Sequence, residues 1–275
     1  ERRKAEGKQA LLLVDFDKGL ATVGATRSFE VTLSYDETQK LLHEAPRTYS
    51  TQINDLLLTA LVLAVSHWTE RKILHLSLEG HGREDIIPGI DLSRTIGWFT
   101  TVFPVCFDLA DCDVNDCGAV IKLIKEQLRI IPKKGIGYGL LRYLTEGDEK
   151  ADALRAVDYP QLGFNYLGQM DAGTGDGNLL SFAEESVGNW FGEQNTNRQI
   201  LALNCLVKQG CLKLQWSYSQ NHFRPDTIGK LADNFLNRLR NVINHCCKVL
   251  GGTGIEVAPI KRSINRKLCL FEMQT

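Results

Sequence analysis

The amino-acid sequence predicts an α/β fold, a two-layer sandwich of one β-sheet and packed helices. Three observations lead to this fold class. Segments such as residues 27–33 and 73–78 alternate apolar and polar side chains with a period of two, which is typical of strands. Longer segments such as residues 51–68 and 226–247 repeat apolar residues at helical spacing. The two kinds of segment are mixed without strict alternation, and this pattern favours the sandwich.

The composition limits the classes of protein to which this chain could belong. The chain has 275 residues, 43% of them hydrophobic, which is enough to form the core of one large domain or two smaller ones. Its formal net charge is -1, so neither a nucleic-acid partner nor an anionic membrane is indicated. No segment approaches the roughly 20 apolar residues of a membrane helix. We expect a cytoplasmic protein, cut from a longer polypeptide because the sequence starts at Glu1 without a signal pattern.

The cysteines do not predict a metal site. They form no C-x-x-C pair, and the histidines near them lack zinc-finger spacing. We expect reduced thiols, with no metal ligand among them. The eight are Cys106, Cys112, Cys117, Cys205, Cys211, Cys246, Cys247 and Cys269.

In the N-terminal quarter, the pattern predicts strands at residues 11–14 and 27–33. Ser34 and Glu37 have the S-x-x-E spacing of a capping box, which predicts a helix that ends near residue 45, before Pro46. The next helix, residues 51–68, is apolar around most of its circumference, so we expect it to be buried on several sides.

Two strands and a helix are predicted in the middle of the chain. Residues 73–78 form the first strand, and residues 102–107 form the second, where Pro104 indicates a sheet edge or a bulge. A helix follows at residues 114–131 and ends before Pro132, and a glycine-rich turn is predicted at residues 135–139.

The remaining elements complete the predicted sheet. We expect an exposed turn at residues 172–177. Strands are predicted at residues 162–167, 181–187, 200–207 and 211–218, before an amphipathic helix at residues 226–247.

The segment Glu-Gly-His-Gly-Arg-Glu, residues 79–84, is the strongest candidate for a functional site. It places two carboxylates, an imidazole and a guanidinium around two glycines, directly after the strand of residues 73–78. Glycines at such a position allow the backbone to approach a ligand closely. The segment therefore predicts a site for proton transfer at a strand end.

Four motifs occur in an order that resembles epimerization domains of nonribosomal peptide synthetases. A weaker match is Asn-Asp-Leu-Leu-Leu-Thr-Ala-Leu at residues 54–61. The four are Glu-Gly-His-Gly-Arg-Glu (79–84), Arg-Thr-Ile-Gly-Trp-Phe-Thr-Thr-Val-Phe-Pro (94–104), Gly-Ile-Gly-Tyr-Gly (135–139) and Phe-Asn-Tyr-Leu-Gly-Gln (164–169).

The resemblance implies a fold and a domain division. It runs from about Arg27 to about Gly252 and corresponds to the C-terminal lobe of the condensation-domain superfamily, whose lobes resemble chloramphenicol acetyltransferase. Residues 1–26 would then be a remnant of the inter-lobe connection, residues 27–252 the C-terminal lobe, and residues 253–275 a divergent tail or linker.

The resemblance also implies an incomplete site. The H-H-x-x-x-D-G motif of such domains lies in the N-terminal lobe, and no histidine of this chain has a neighbouring histidine or that spacing. Half of the catalytic pair is therefore expected to lie outside this chain. Loss of the other lobe would uncover an apolar face, so self-association or low stability is expected of the chain alone. The histidines are His43, His67, His75, His81, His222 and His245.

Domains of this kind invert the α-carbon of an aminoacyl or peptidyl group held as a thioester on the phosphopantetheine arm of a peptidyl carrier protein. The reaction needs a base, an acid and stabilisation of the enolate oxyanion. The implied partners are the carrier protein, the adjacent synthetase domains and the N-terminal lobe, without nucleic acid or membrane. No cofactor is expected to bind this chain directly.

Glu79 is the candidate for one of the two proton-transfer groups. Its pKa would have to be raised by burial or by another negative group to work near neutral pH. Arg83 would oppose that, so we expect Arg83 to turn away and pair with Glu84. His81 is a secondary catalytic candidate, and its alternative is a hydrogen-bonded structural residue.

The other motifs supply further candidates. Asn165 and Tyr166 could donate hydrogen bonds to the enolate oxygen or orient the thioester, while the alternative for Tyr166 is a strand aromatic in the core. Trp98 and Phe99 are expected to pack the loop beneath the substrate channel, to which Gly137 and Tyr138 are also assigned. A dinucleotide site at these glycines is weakly supported, because a strand-helix unit with a ribose-binding acid is missing.

Two other functions remain open. One is an amide-forming condensation domain of the same fold, although such domains are not expected to carry the complete motifs at residues 79–84 and 164–169. The other is a catalytically silent fragment that binds carrier protein or has a structural role.

Overall fold

The sheet has six strands. The computed structural model describes residues 12–170, 185, 188 and 190–251. Neighbouring strands follow the order β1-β6-β5-β4-β2-β3. The strands are β1 (Thr26–Thr32), β2 (Ile73–Gly80), β3 (Thr101–Asp108), β4 (Leu162–Gln169), β5 (Leu201–Lys208) and β6 (Cys211–Ser219).

Helices of very different length connect and cover these strands. Pro132–Gly135 is a 3₁₀ turn, and Leu140–Leu144 is one turn of π-helix. The α-helices are α1 (Tyr35–His43), α2 (Ala45–Tyr49), α3 (Ile53–Thr69), α4 (Cys117–Arg129), α5 (Ile136–Gly139), α6 (Glu149–Ala156) and α7 (Pro225–Gly251).

The sheet is mixed. β2 pairs with β4, and β4 with β5, in parallel, while the remaining three pairs are antiparallel. β3 pairs on one side only and is an edge strand, which confirms the edge position that Pro104 indicated. The central parallel pairs bring together strands that are far apart in the chain, so the ends of β2 and β4 lie side by side.

One face of the sheet forms the core with the helices. A buried row crosses the sheet through Phe103, Leu78, Phe164, Leu203 and Trp216. α3 and α7 pack against each other and contact strands of the sheet. Because the helices and the buried row share one core, the architecture is the predicted two-layer α/β sandwich.

The long helices are buried as their sequences predict. Within α3, Leu56, Leu57 and Leu61 have no exposure to solvent, which confirms the expectation of burial on several sides. In α7, Phe235 meets Trp216 of the sheet edge to face, with ring centroids 5.7 Å apart. None of the described helices combines the length and apolar character required to cross a bilayer.

A buried ion pair connects α3 and α4. The Asp55 side chain is 1% exposed and accepts hydrogen bonds from Arg129 Nη1 at 3.1 Å and Nη2 at 2.6 Å. Asp55 also accepts from the backbone N–H of Gln52 at 2.7 Å, at the start of α3. The carboxylate thus combines a helix cap with a two-pronged contact to a guanidinium.

Most predicted elements are confirmed, including the capping box of Ser34 and Glu37. Two predictions are wrong. Residues 12–14 are not a strand, and the glycine-rich segment 135–139 is mainly the helix α5. The helix α1 ends at His43, before Pro46 as predicted, and Pro46 is the second residue of the short helix α2. The predicted turn at residues 172–177 and the tail 253–275 lie outside the described residues, as does the predicted strand 181–187 apart from residue 185.

Candidate active site at the end of strand β2

Glu79 lies at the end of β2, on the sheet face opposite the core. Its neighbours Leu78 and Phe164 are buried on the core side, and the alternation along each strand places Glu79 and Asn165 on the other side. Asn165 Nδ2 donates a hydrogen bond to Glu79 Oε2 over 2.7 Å. The structure therefore brings together two candidate residues that are 86 positions apart in the sequence. We call this side of the sheet the open face.

Partial burial raises the pKa of the Glu79 carboxyl above its usual range, although the side chain keeps contact with solvent. A general acid or base works best when its pKa lies near the working pH. The raised pKa of Glu79 is therefore closer to neutral pH than the pKa of an ordinary surface glutamate.

Arg83 turns away from Glu79 but does not pair with Glu84. Its Nη1 donates to the carbonyl of Leu92 at 2.6 Å, and its Nη2 donates to the carbonyl of Gly97 at 3.0 Å. The guanidinium also lies 4.5 Å from the centroid of the Phe99 ring. Arg83 therefore connects the loop before β3 to the end of β2. The prediction that Arg83 pairs with Glu84 is wrong.

Glu84 contacts two other side chains, those of His81 and Lys134. Its Oε1 lies 3.2 Å from His81 Nε2, and its Oε2 lies 2.9 Å from Lys134 Nζ. His81 Nδ1 accepts from the backbone N–H of Arg83 at 3.0 Å, so Nε2 carries the proton that faces Glu84. Both ring nitrogens of His81 are thus engaged within the loop, which favours the structural alternative for this residue.

Two glycines permit close approaches around the site. Gly82 has φ +67°, and a Cβ there would overlap the carbonyl oxygen of Phe99. Gly135 has φ +81°, and a Cβ there would overlap the Phe103 ring. Lys133 and Lys134 also have left-handed backbone, with φ 45° and 50°. This turn lies beside the end of β2, where the Lys134 carbonyl comes close to Gly80.

Tyr166 does not share the face of Glu79. It pairs with Cys205, which is fully buried, and it packs against the core. Burial raises the pKa of its phenol. This position favours the alternative that Tyr166 is a packed strand aromatic, since its neighbour Asn165 points to the opposite side.

The two aromatic residues of the loop before β3 differ. Phe99 is half-buried under Arg83, while its position beneath a substrate channel stays a prediction. Trp98 is 89% exposed, so the expectation that it packs the loop is wrong. Arg83 holds this loop through the carbonyls of Leu92 and Gly97 and through the Phe99 ring, and none of these contacts involves the indole of Trp98.

Tyr138 and Gly137 lie in α5, beside β3. Tyr138 packs against the core, and burial raises the pKa of its phenol. In the part of the chain that the structure describes, no atom beyond its chain neighbours and its own helix backbone lies within 4 Å of the position of a Gly137 Cβ. Tyr138 therefore has a packing role in this structure, while an assignment of either residue to a substrate channel stays a prediction.

Sequence reasoning missed a polar cluster next to Glu79. Ser77 lies on the open face, two positions before Glu79, and accepts a hydrogen bond from Gln199 Nε2 at 2.9 Å. Tyr159 also bonds to Ser77. The Arg198 guanidinium lies 5.6 Å from the Tyr159 ring centroid, and its Nη1 donates to the Tyr143 hydroxyl at 3.1 Å. The period of two in β2 already placed Ser77 beside Glu79, but nothing in the sequence indicated its partners.

The described residues contain no group of three or more histidine, cysteine, aspartate or glutamate side chains that could hold a metal ion. Burial raises the pKa of several thiols, to about 11 for Cys117 and about 12 for Cys246. Cys117 and Cys246 are therefore weak nucleophiles.

A family model and the similar known proteins agree on one family. A family model described as the condensation domain matches residues 6–253. Chondramide synthase cmdD of Chondromyces crocatus is 44% identical over 236 residues, which are 86% of this chain and 6% of that protein. Bacitracin synthase 3 of Bacillus licheniformis is 40% identical over 244 residues, which are 89% of this chain and 4% of that protein.

A solved structure has the same fold. It is the epimerization domain from the third module of tyrocidine synthetase B, with a TM-score of 0.79 and 36% sequence identity. The match covers 89% of this chain and 54% of the solved chain. The chain thus spans about half the length of that domain and a small fraction of the curated relatives it matches.

Proposed function

The chain belongs to the condensation-domain family, and from this we propose that it is one lobe of an epimerization domain in a nonribosomal peptide synthetase. The proposed reaction inverts L to D at the α-carbon of an aminoacyl or peptidyl thioester on a carrier protein. The observation that carries the proposal is the Glu79 carboxyl, which is partly buried, has a raised pKa and is held by Asn165.

Glu79 would exchange the α-proton on one face of the substrate. As carboxylate it takes the proton, and the electron pair of the C–H bond passes into the enolate of the thioester. Return of a proton to the opposite face gives the inverted α-carbon and needs a second group. Asn165 orients the Glu79 carboxyl through its amide N–H.

The second proton-transfer group would come from outside this chain. No described histidine contacts Glu79, and His81 is engaged by Arg83 and Glu84. The chain covers 54% of the similar solved epimerization domain. The remaining part of such a domain, a second lobe, would supply that group. The thioester would arrive on the phosphopantetheine arm of a carrier protein, and this chain itself would bind no cofactor.

An amide-forming condensation activity is the second candidate, and the family match favours it. It differs from epimerization in needing an amine acceptor. The segment at residues 79–84, with its carboxyl of raised pKa at the strand end, supports proton transfer at an α-carbon rather than amine acylation.

Chiral analysis of a carrier-bound substrate tests the proposal. The chain, extended by its natural upstream sequence, is incubated with carrier protein loaded with the L or the D form, and the released acid is separated by chiral chromatography. We expect both forms to reach the same L/D mixture without an acceptor, and the unextended chain to leave them unchanged. Formation of amide only, with chirality retained, would establish the second candidate instead.

A further inference from the structure

We propose that Gln199 is a positioning residue for Glu79, because its side chain bridges the two parts of the sheet between which the Glu79–Asn165 contact is formed. This inference rests on the proposed epimerization and adds a residue to its machinery. Gln199 acts through Ser77 and the strand β2, and not by contact with the substrate.

The sheet consists of two parts that meet at the junction between β2 and β4. β2 pairs with β3 along its whole length, residues 73–80. The strands β4, β5, β6 and β1 form the other part and are connected by long pairings. At the junction, Ser77 pairs with Gly163 and Leu78 with Phe164. Such a short pairing provides few backbone hydrogen bonds, so the junction depends more than its neighbours on side-chain contacts.

The proposed site crosses this junction. Glu79 belongs to β2 and Asn165 to β4, each one position beyond the second of these pairs. β2 ends at Gly80, and the pairing of β4 with β5 becomes irregular after Tyr166. The 2.7 Å hydrogen bond from Asn165 to Glu79 therefore lies at the end of the junction. A small displacement of one part of the sheet against the other would change its length.

Gln199 connects the two parts on the open face. It lies just before β5, where the two residues after it donate backbone hydrogen bonds to the carbonyl of Gln161 at 3.1 and 3.2 Å. Its Nε2 donates to Ser77 Oγ over 2.9 Å. The side chain crosses β4 at Gly163, where a Cβ would lie 3.3 Å from Gln199 Cγ, Cδ and Nε2. A glycine at this strand position thus leaves the space that the crossing needs.

Ser77 is the end of this bridge in β2. It is 1% exposed, and its Oγ also donates to the carbonyl of Leu162 at 3.4 Å. Tyr159 forms a further side-chain hydrogen bond with it. All of these partners lie in β4 or next to β4 and β5. Because Ser77 and Glu79 are two positions apart on one face of β2, contacts that hold Ser77 also fix the backbone from which the Glu79 side chain projects.

A positioning role and a merely structural role differ in what the loss of the bridge changes. A structural role affects the free energy of unfolding and leaves the environment of Glu79 as it is. A positioning role lengthens the hydrogen bond from Asn165, which favours the charged carboxylate, and so raises the pKa of Glu79. That change requires Asn165 to be present.

The test is a double-mutant cycle read by the Glu79 carboxyl. Gln199→Met keeps a side chain of similar length but removes the donor, and it is made in the original chain and in Asn165→Ala. The pKa of Glu79 is measured by ¹³C NMR titration of the chain itself, and kcat and KM for α-proton exchange are measured in the domain completed by its natural upstream sequence. Gln215→Met is the matched control, since it removes an exposed carboxamide from the open face of β6.

We expect Gln199→Met to raise the pKa of Glu79 in the original chain and to leave it unchanged in Asn165→Ala. Ser77→Ala removes the other end of the bridge and should act in the same way, so the result does not depend on the folding of one variant. In the completed domain, kcat should fall about tenfold while KM stays within about twofold, since a displacement of 1 Å can cost about 100-fold. Gln215→Met should change none of these values.

Two results would overturn the inference while epimerization stands. One is a Glu79 pKa that neither Gln199→Met nor Ser77→Ala changes, and the other is a shift of equal size with and without Asn165, which indicates a general structural effect. Exchange that Glu79→Gln does not lower, or absence of exchange in the completed domain, would refute the proposed function instead. The pKa cycle in the chain still decides the role of Gln199 in that case, because it requires no turnover.

Discussion

Replacing Asn165 with alanine is expected to raise the pKa of Glu79 by about one unit. Asn165 Nδ2 donates to Glu79 Oε2 over 2.7 Å, and a hydrogen bond to a carboxylate favours its charged form. Bonds to charged groups contribute about 1.5–3 kcal/mol. Because Glu79 keeps contact with solvent, the lower end applies, and about 1.4 kcal/mol corresponds to roughly one pKa unit. Burial already raises this pKa, and the substitution acts in the same direction.

The assay is a ¹³C NMR titration of the glutamate carboxyl carbons in the chain itself, with the Glu79 signal assigned by its absence from a Glu79→Gln variant. Asn237→Ala on α7 is the control and should leave the titration unchanged. In the completed domain, the acid limb of the pH profile for α-proton exchange should move to higher pH by the same amount. A Glu79 pKa that stays constant or falls in Asn165→Ala would refute the role assigned to the Asn165 amide.

Three further substitutions test other contacts. His81→Ala should lower the exchange rate of the completed domain less than tenfold, since both ring nitrogens are engaged within their own loop. Gly82→Ala should lower the free energy of unfolding by about 2 kcal/mol or more, because a left-handed residue costs about 1–2 kcal/mol and the new Cβ overlaps the Phe99 carbonyl. Arg129→Met should cost about 3–5 kcal/mol, since it leaves the Asp55 carboxylate buried without its ion pair.

Control variants separate these effects from a general loss of activity or stability. A loss in His81→Ala as large as that in Glu79→Gln would contradict the structural role. Gly89→Ala is the matched control for Gly82→Ala, because Gly89 also has positive φ, +80°, but no atom of the described residues beyond its chain neighbours lies within 4 Å of its Cβ position. Equal urea midpoints for the two glycine variants would contradict the close approach at Gly82. The double variant Asp55→Asn/Arg129→Met should recover at least half of the stability lost in Arg129→Met, and no recovery would contradict the buried charge as its cause.

Local patterns were sufficient for the regular elements. The capping box at Ser34, the apolar stripe of α7 and the strand before Glu79 depend on neighbours within a few positions, and each is confirmed. The segment 135–139 failed for a physical reason. Its glycines favour a turn, but packing of Tyr138 against the core stabilises a short helix instead.

The candidate site was only partly readable from the sequence. The motifs identified Glu79 and Asn165, but their contact depends on β2 and β4 becoming parallel neighbours, which no local pattern determines. The targets of Arg83 are backbone carbonyls, whose positions depend on the path of the loop before β3. Every residue has a backbone carbonyl, so the sequence does not show which carbonyls a guanidinium binds. The opposite charges of Arg83 and Glu84 therefore predicted the wrong partner.

The central claim is that Glu79 moves the α-proton, and solvent exchange tests it most directly. The completed domain is incubated in D₂O with a carrier-bound thioester, and deuterium at the α-carbon is followed by mass spectrometry for the original protein and for Glu79→Gln, which keeps the size of the side chain and an acceptor for Asn165. We expect exchange to fall at least about 100-fold, the lower range for loss of a general acid or base. Exchange in Glu79→Gln at the rate of the original protein would contradict the account.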